Sequence, residues 1–163
     1  MTIKFSSYKV SAYLDQLSRR EQVPGGGSAA ALTGSMGAAL ISMVTNYSIG
    51  RKANTKAIDS RLQKLLVKSE MIRLRLLELS SLDAEAYLKV SKAKNADIKA
   101  QQQAAKYARA VPQEVCNLCY KAIELTPFLV EKGNPYLLSD VEVAIELLMA
   151  SFNGARVMVR VNS

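Results

Sequence analysis

With 163 residues, of which 49% are hydrophobic and 22% charged, the chain has the composition and size of a single-domain soluble globular protein. Its formal charge of +8 is spread over dispersed lysines and arginines with no interleaved aromatic residues, which argues against a nucleic-acid stacking platform; either a solvated surface or attraction of an anionic small molecule accounts for it. Histidine is absent, so Ser-His-Asp and Cys-His systems and histidine metal sites are excluded within the chain, and proton transfer falls to carboxylates, lysine, tyrosine or water.

In chain order, Val10, Tyr13, Leu14 and Leu17 predict a short amphipathic helix. Pro24 and the three glycines Gly25, Gly26 and Gly27 follow, running into Ser28 and a small-residue helix to about Tyr47. Ser28 reads as the N-cap. Glycine permits close approach of another group, and a helix start offers unpaired N–H groups and partial positive charge, so the segment is either a flexible connector or a loop that receives a polar ligand. From Val23 to Gly50 no charged residue occurs, yet strongly apolar residues are few, so a central buried helix fits better than a membrane span. Gly34, Ser35, Ala38 and Ser42 form a small-residue face on it.

Ile58, Leu62, Leu65, Ser69, Ile72, Leu76 and Leu79 alternate spacings of four and three, the stripe of a bundle helix. Ser80 with Asp83 resembles a capping box that restarts a helix through Val90. The polar stretch Ser91–Gln103 is a loop or an exposed helix start. A further helix is expected from about Ala104 to Lys132, kinked or broken at Pro112 and Pro127 and ended by Gly133-Asn134-Pro135. Ser139 and Glu142 form a capping box for the last helix. Cys116 and Cys119, three apart, share a helix face and lack partners for a zinc site, so they read as small buried hydrophobes. Their reduced state and the absence of a secretory pattern at the N-terminus suggest a cytoplasmic protein. The expected architecture is all-α, an up-and-down helical bundle of five to six helices in a single domain spanning residues 1–163.

The run P-G-G-G-S-A-A-A-L, then N-Y-S-I-G-R-K at Asn46–Lys52, L-D-A-E-A-Y at Leu82–Tyr87, A-V-P-Q-E-V at Ala110–Val115, K-G-N-P-Y-L-L-S-D-V at Lys132–Val141 and V-R-V-N at Val159–Asn162 resembles the formimidoyltetrahydrofolate cyclodeaminase and methenyltetrahydrofolate cyclohydrolase family over nearly the whole chain. The resemblance implies folate one-carbon chemistry, either cyclodeamination of 5-formimidoyltetrahydrofolate with release of ammonia or hydrolysis of 5,10-methenyltetrahydrofolate. It implies a folate substrate, no metal or redox cofactor, no nucleic-acid or membrane partner, and a homodimer with the site at or near the subunit interface. It raises Asp83 and Asp140 as catalytic carboxylates, each otherwise explained by a helix start. Gly25, Gly26, Gly27, Ser28, Asn46, Arg51, Lys52 and Asn134 become substrate-binding candidates, Arg51 and Lys52 for a folate carboxylate and the asparagines for the pterin ring. Glu85, two residues from Asp83, faces away from it on a helix and is the weaker candidate. The competing expectation is a non-catalytic helical protein of the same fold that binds folate or only oligomerises.

Overall fold

In the computed structural model, which describes residues 3–162, the chain forms six α-helices and two short 3-10 turns, with no strand among the described residues. The helices are Val10–Leu17 (α1), Gly26–Ser48 (α2), Lys56–Ala93 (α3), Ile98–Ile123 (α4), Thr126–Lys132 (α5) and Leu138–Val161 (α6). The helical bundle expected from the sequence is what the chain builds. By length and composition α2 could cross a membrane, but α3 and α6 flank it on either side and most of it is core. Ile41, Val44, Leu62, Leu76, Leu79, Val115 and Leu148 are fully or almost fully buried around it. Each such side chain contributes about 1.5–3 kcal/mol by leaving water.

The small residues of α2 are what let its neighbours in. A Cβ on Gly34 would stand 2.6 Å from the Ser151 hydroxyl and 3.2 Å from Cys119 Sγ, and one on Gly37 would stand 2.8 Å from Leu148 Cγ and 3.0 Å from the Ala144 carbonyl. On the α3 side, Ser35 Oγ donates to the Arg73 carbonyl (3.0 Å) and Ser42 pairs with Ser69 (2.8 Å). Thr45 and Ser48 turn their hydroxyls back onto the Ile41 and Val44 carbonyls. Among the described residues no buried side-chain polar atom is left unpaired, which is how a helix rich in hydroxyls sits in a core at no desolvation penalty.

Several boundaries differ from expectation, each for a local reason. Helix α2 begins at Gly26 with Gly25 as its N-cap, two residues before Ser28. Helix α3 continues through Ser80, whose hydroxyl donates to the Leu77 carbonyl (2.7 Å) instead of capping a new start. The polar stretch after it splits between the end of α3 and the first residues of α4, with Asp97 capping α4 by accepting the Ala100 N–H (2.7 Å). Pro112 lies inside an unbroken α4, whereas the break falls ahead of Pro127, in the first turn of α5. The Ser139–Glu142 box does not form, because the 3-10 turn Pro135–Leu137 runs directly into α6 at Leu138.

Two helical glycines at the α2–α6 contact, Gly37 on α2 and Gly154 on α6, give a direct test of this packing. Gly37→Ala gains helix propensity of up to about 1 kcal/mol, but its methyl meets a backbone carbonyl that cannot rotate away, and overpacking costs about 1–3 kcal/mol. The expected outcome is a lower urea midpoint with an unchanged slope. Gly154→Ala, whose Cβ would meet only the Ala30 methyl at 3.3 Å, should match or exceed the wild type in the same titration.

Candidate active site

The first turn of α2 leaves its N–H groups without intrahelical partners, and no side chain on the preceding loop caps them. The partner comes from the middle of α3. The Ser28 N–H donates to the Asp83 carboxylate, and Asp83 lies so close to α2 that a Cβ on Gly27 would overlap it. Gly27 is therefore required by close approach. None of the three loop glycines needs a positive φ; among the described residues that conformation occurs only at Gly50, just past the α2 C-terminus. A Cβ on Gly25 would meet nothing, and one on Gly26 only Met158 Sδ at 3.8 Å, so these two border open space.

That space is a pocket of about 320 Å³ beside Asp83. Val23, Ala86, Val90, Ala108 and Met158 give it apolar walls, and Gln22, Tyr87 and Asn162 add polar groups. Burial is the larger influence on Asp83 and raises its pKa from 3.8 to about 6, while the hydrogen bond from Ser28 pulls the other way. Beneath it, Tyr13 of α1 is 4% exposed and its hydroxyl pairs with Ser28 Oγ at 3.0 Å. Burial pushes the Tyr13 phenol up, and the negative charge of Asp83 adds to the effect.

A second long-range bond closes the far wall. Pro112 has no N–H to give the carbonyl of Ala108, one turn earlier; that carbonyl accepts instead from Asn162 Nδ2 at 2.9 Å. Arg109 Nε donates to the Asn162 carbonyl (3.2 Å), and together they hold the end of α6 against α4 at the pocket.

Of the residues singled out in the sequence, Gly25, Gly26, Gly27, Ser28 and Asp83 come together here. Asn46, Arg51, Lys52, Asn134 and Asp140 do not. They cluster about the opposite end of α2, whose 23 residues span about 33 Å. There Arg51 Nη1 donates to the Gly133 carbonyl, the Asn134 N–H donates to Ser48 Oγ (2.9 Å), and Asn134 Oδ1 caps the next turn by accepting the Tyr136 N–H (3.1 Å). Asp140 lies in the first turn of α6, half-buried, and Asn46 and Lys52 are exposed. Glu85 points away as expected, its Oε1 accepting the Ile3 N–H (3.2 Å). Sequence reasoning missed Tyr13, Gln22, Tyr87 and Met158. Tyr87 was within reach, being one turn from Asp83 on the same face of α3. The cysteines are free and packed on α6, Cys119 donating to Ser151 Oγ (3.1 Å), and no cluster of metal-ligating side chains occurs among the described residues.

A half-buried carboxyl of raised pKa, in an apolar pocket floored by a glycine-lined helix start, has the chemistry to exchange a proton with a small molecule. The same chain matches the formiminotransferase-cyclodeaminase family over residues 9–163, and it belongs to that family. It is 37% identical to the methenyltetrahydrofolate cyclohydrolase of Methylorubrum extorquens over 94% of this chain and 78% of that one. It is 32% identical to the formimidoyltransferase-cyclodeaminase of Sus scrofa, covering 92% of this chain but only 29% of that longer protein. Its fold superposes on the crystal structure of formiminotetrahydrofolate cyclodeaminase from Thermotoga maritima with a TM-score of 0.92 at 30% identity, over 96% of this chain and 79% of that one.

The raised pKa has a consequence for stability. Between about pH 4 and 6 the unfolded chain has already released the Asp83 proton while the folded chain still holds it. Stability therefore falls as pH rises through this window, and above it the ionised carboxylate opposes folding by about 3 kcal/mol at most. Asp83→Asn is expected to unfold at a higher urea concentration than the wild type at pH 7.5. The gain should vanish by about pH 4, which a pH series of denaturation curves reads directly.

Proposed function

We propose that this protein is a folate one-carbon enzyme that hydrolyses 5,10-methenyltetrahydrofolate in the pocket beside Asp83. The observation that carries the reading is the Asp83 carboxyl itself, held at about 6 by burial and facing apolar walls. The relationship to the Methylorubrum cyclohydrolase supports the choice of substrate. In this reaction water adds to the carbon bridging N5 and N10 and loses a proton. The tetrahedral adduct then collapses with cleavage of one C–N bond, and the departing nitrogen takes up a proton. Asp83 is ionised at pH 7, so it accepts the first proton, and its pKa lies close enough to neutrality for it to deliver one to the nitrogen. Its charge also stabilises the cationic bridge, and the apolar walls strengthen that attraction. The free N–H groups of Gly26 and Gly27 offer donors to a polar edge of the folate.

The close structural match to the Thermotoga enzyme favours a second reading, cyclodeamination. There N10 attacks the formimidoyl carbon on N5 and the adduct expels ammonia, with Asp83 taking the N10 proton and protonating the leaving amine. Fixing the two nitrogens in attack geometry supplies much of the rate in that case. The two reactions are separated by following methenyl absorbance with each substrate: hydrolysis removes it and cyclodeamination creates it. Tetrahydrofolate binding with turnover of neither would identify a non-catalytic relative. Each route moves only protons and a group on carbon, so the enzyme is proposed to need no metal or redox cofactor, and chelation should leave turnover intact. We further propose that it acts as a homodimer in the cytoplasm, a setting in which its two free thiols persist.

Replacing Asp83 with asparagine should lower kcat at least a hundredfold in a protein that remains folded, in line with the roughly 10²–10⁴-fold of general acid–base catalysis. In the wild type kcat/KM should rise as pH passes about 6, as the carboxyl ionises, and the variant should lack that limb. Near-normal turnover by Asp83→Asn would move the chemistry elsewhere. Gly27→Ala should approach the Asp83→Asn loss, because its methyl displaces the carboxylate, whereas Gly25→Ala should leave kcat within about tenfold.

A further inference from the structure

Away from the Asp83 pocket, an apolar trough of about 530 Å³ runs between α3 and α4. We propose that this trough is the docking site for an acidic amphipathic helix of a partner protein. It shares no lining residue with the Asp83 pocket, and Lys68 at its rim stands about 22 Å along α3 from Asp83.

The apolar part has the spacing that a third helix needs. Ile72 is buried in the floor, and Leu118 on α4 and Leu125 just past its end are half-buried beside it. Met71 forms the edge and continues along α3 into Val67 and Leu74; the three are 66%, 61% and 54% exposed. Spacings of four and three put them on one face of α3, over two turns that no described element of the chain covers. An incoming helix with apolar anchors at i, i+3 or i+4, and i+7 matches that length. Methionine at the centre is flexible and polarisable, which suits a surface that must fit a partner's side chains.

Charge selects the occupant. Arg61, Lys64, Lys68 and Arg75 follow one another at helical spacing on the trough side of α3, and Lys121 faces them from α4. The two arginines are engaged. Arg75 pairs with Glu114 across the helices (2.7 Å) and with Glu78 (2.7 Å), closing one end of the trough, and Arg61 lies over the Phe128 ring at 4.1 Å. Lys64, Lys68 and Lys121 form no ion pair among the described residues, and Glu124 is the one unengaged carboxylate lining the trough. Acidic side chains flanking the apolar anchors of a helix would meet these ammonium groups on both rims. A second copy related by a two-fold axis would instead set Lys68 and Lys121 against their own counterparts. A bilayer is flat, whereas this surface is concave between two helices.

Three labelled peptides of about 15 residues, roughly the length at which an isolated helix begins to form, test the proposal. All carry leucine at i, i+3, i+4 and i+7, with flanking positions filled by glutamate in the first, glutamine in the second and lysine in the third. In fluorescence anisotropy the glutamate helix should bind at least about tenfold tighter than the glutamine helix and lose affinity as salt is added, and the lysine helix should bind most weakly. Lys68→Glu with Lys121→Glu should reverse the order of the glutamate and lysine helices. Met71→Gln should weaken all three, and both variants should keep the wild-type urea midpoint. Lys92→Glu with Lys99→Glu, exposed sites outside the trough, should change nothing. Equal binding of the glutamate and glutamine helices, indifference to the trough variants, or an equal loss in the Lys92 and Lys99 control overturns the proposal. It is also overturned if phosphatidylserine vesicles bind through Lys68 while no peptide does, which would mark a membrane site. Self-association abolished by Met71→Gln would overturn it in favour of a second copy. No folate enters these measurements, so their outcome is independent of the chemistry at Asp83.

Discussion

The functional end of this molecule depends on one close approach, that of the Asp83 carboxylate to the first turn of α2. Two effects act on that carboxyl in opposite senses. The Ser28 N–H and the positive end of the helix favour the charged form, and desolvation disfavours it. Desolvation prevails, leaving the group at about 6 instead of in the acidic range of an exposed cap. A carboxylate capping a helix at the surface would have been more stabilising and chemically inert at neutral pH. Burial gives the same hydrogen-bonding arrangement a carboxyl that can exchange a proton near neutral pH.

That approach makes demands well away from itself. Gly27 must lack a side chain, and Ser28 must be held from below by the Tyr13 hydroxyl. Helix α3 must run unbroken past Ser80, since a restart there would swing residue 83 off α2. The pocket's opposite wall depends on a defect repaired at a distance, the carbonyl freed by Pro112 and taken up by Asn162. Two segments that the sequence shows as separate likenesses are thus linked, Pro112 in one freeing the Ala108 carbonyl that Asn162 in the other takes up.

An ionised group opposed to folding by about 3 kcal/mol is a sizeable fraction of the stability of a domain this large. The bundle tolerates it because its core is elsewhere. Ile41, Leu62, Leu76, Leu79 and Leu148 are sealed around the middle of α2, and the hydroxyls among them are all paired. The pocket lies beyond that core, where the helices end and where little packing is lost by leaving space.

Local chemistry decides what was legible in the sequence. The all-helical bundle follows from apolar spacing alone, and the burial of α2 follows from a long uncharged segment too rich in small and hydroxylic residues for lipid. The absence of histidine confined proton transfer to a few residue types. The likeness to known folate enzymes pointed to Asp83 and the glycines, although spacing by itself also allowed Asp83 to be only a cap for Ser80. Tertiary structure decided the rest. Whether Ser80 caps or bonds back depends on whether α3 has somewhere to continue, and whether Pro112 breaks α4 depends on whether another side chain takes up the freed carbonyl. Tyr13 joined the site because α1 folds beneath the glycine loop, a contact with no periodic signature. Asn46, Arg51, Lys52, Asn134 and Asp140 were separated from that site within the chain because α2 runs unbroken for 23 residues. A sequence order that reads as one constellation is laid out by that rigid rod at two ends.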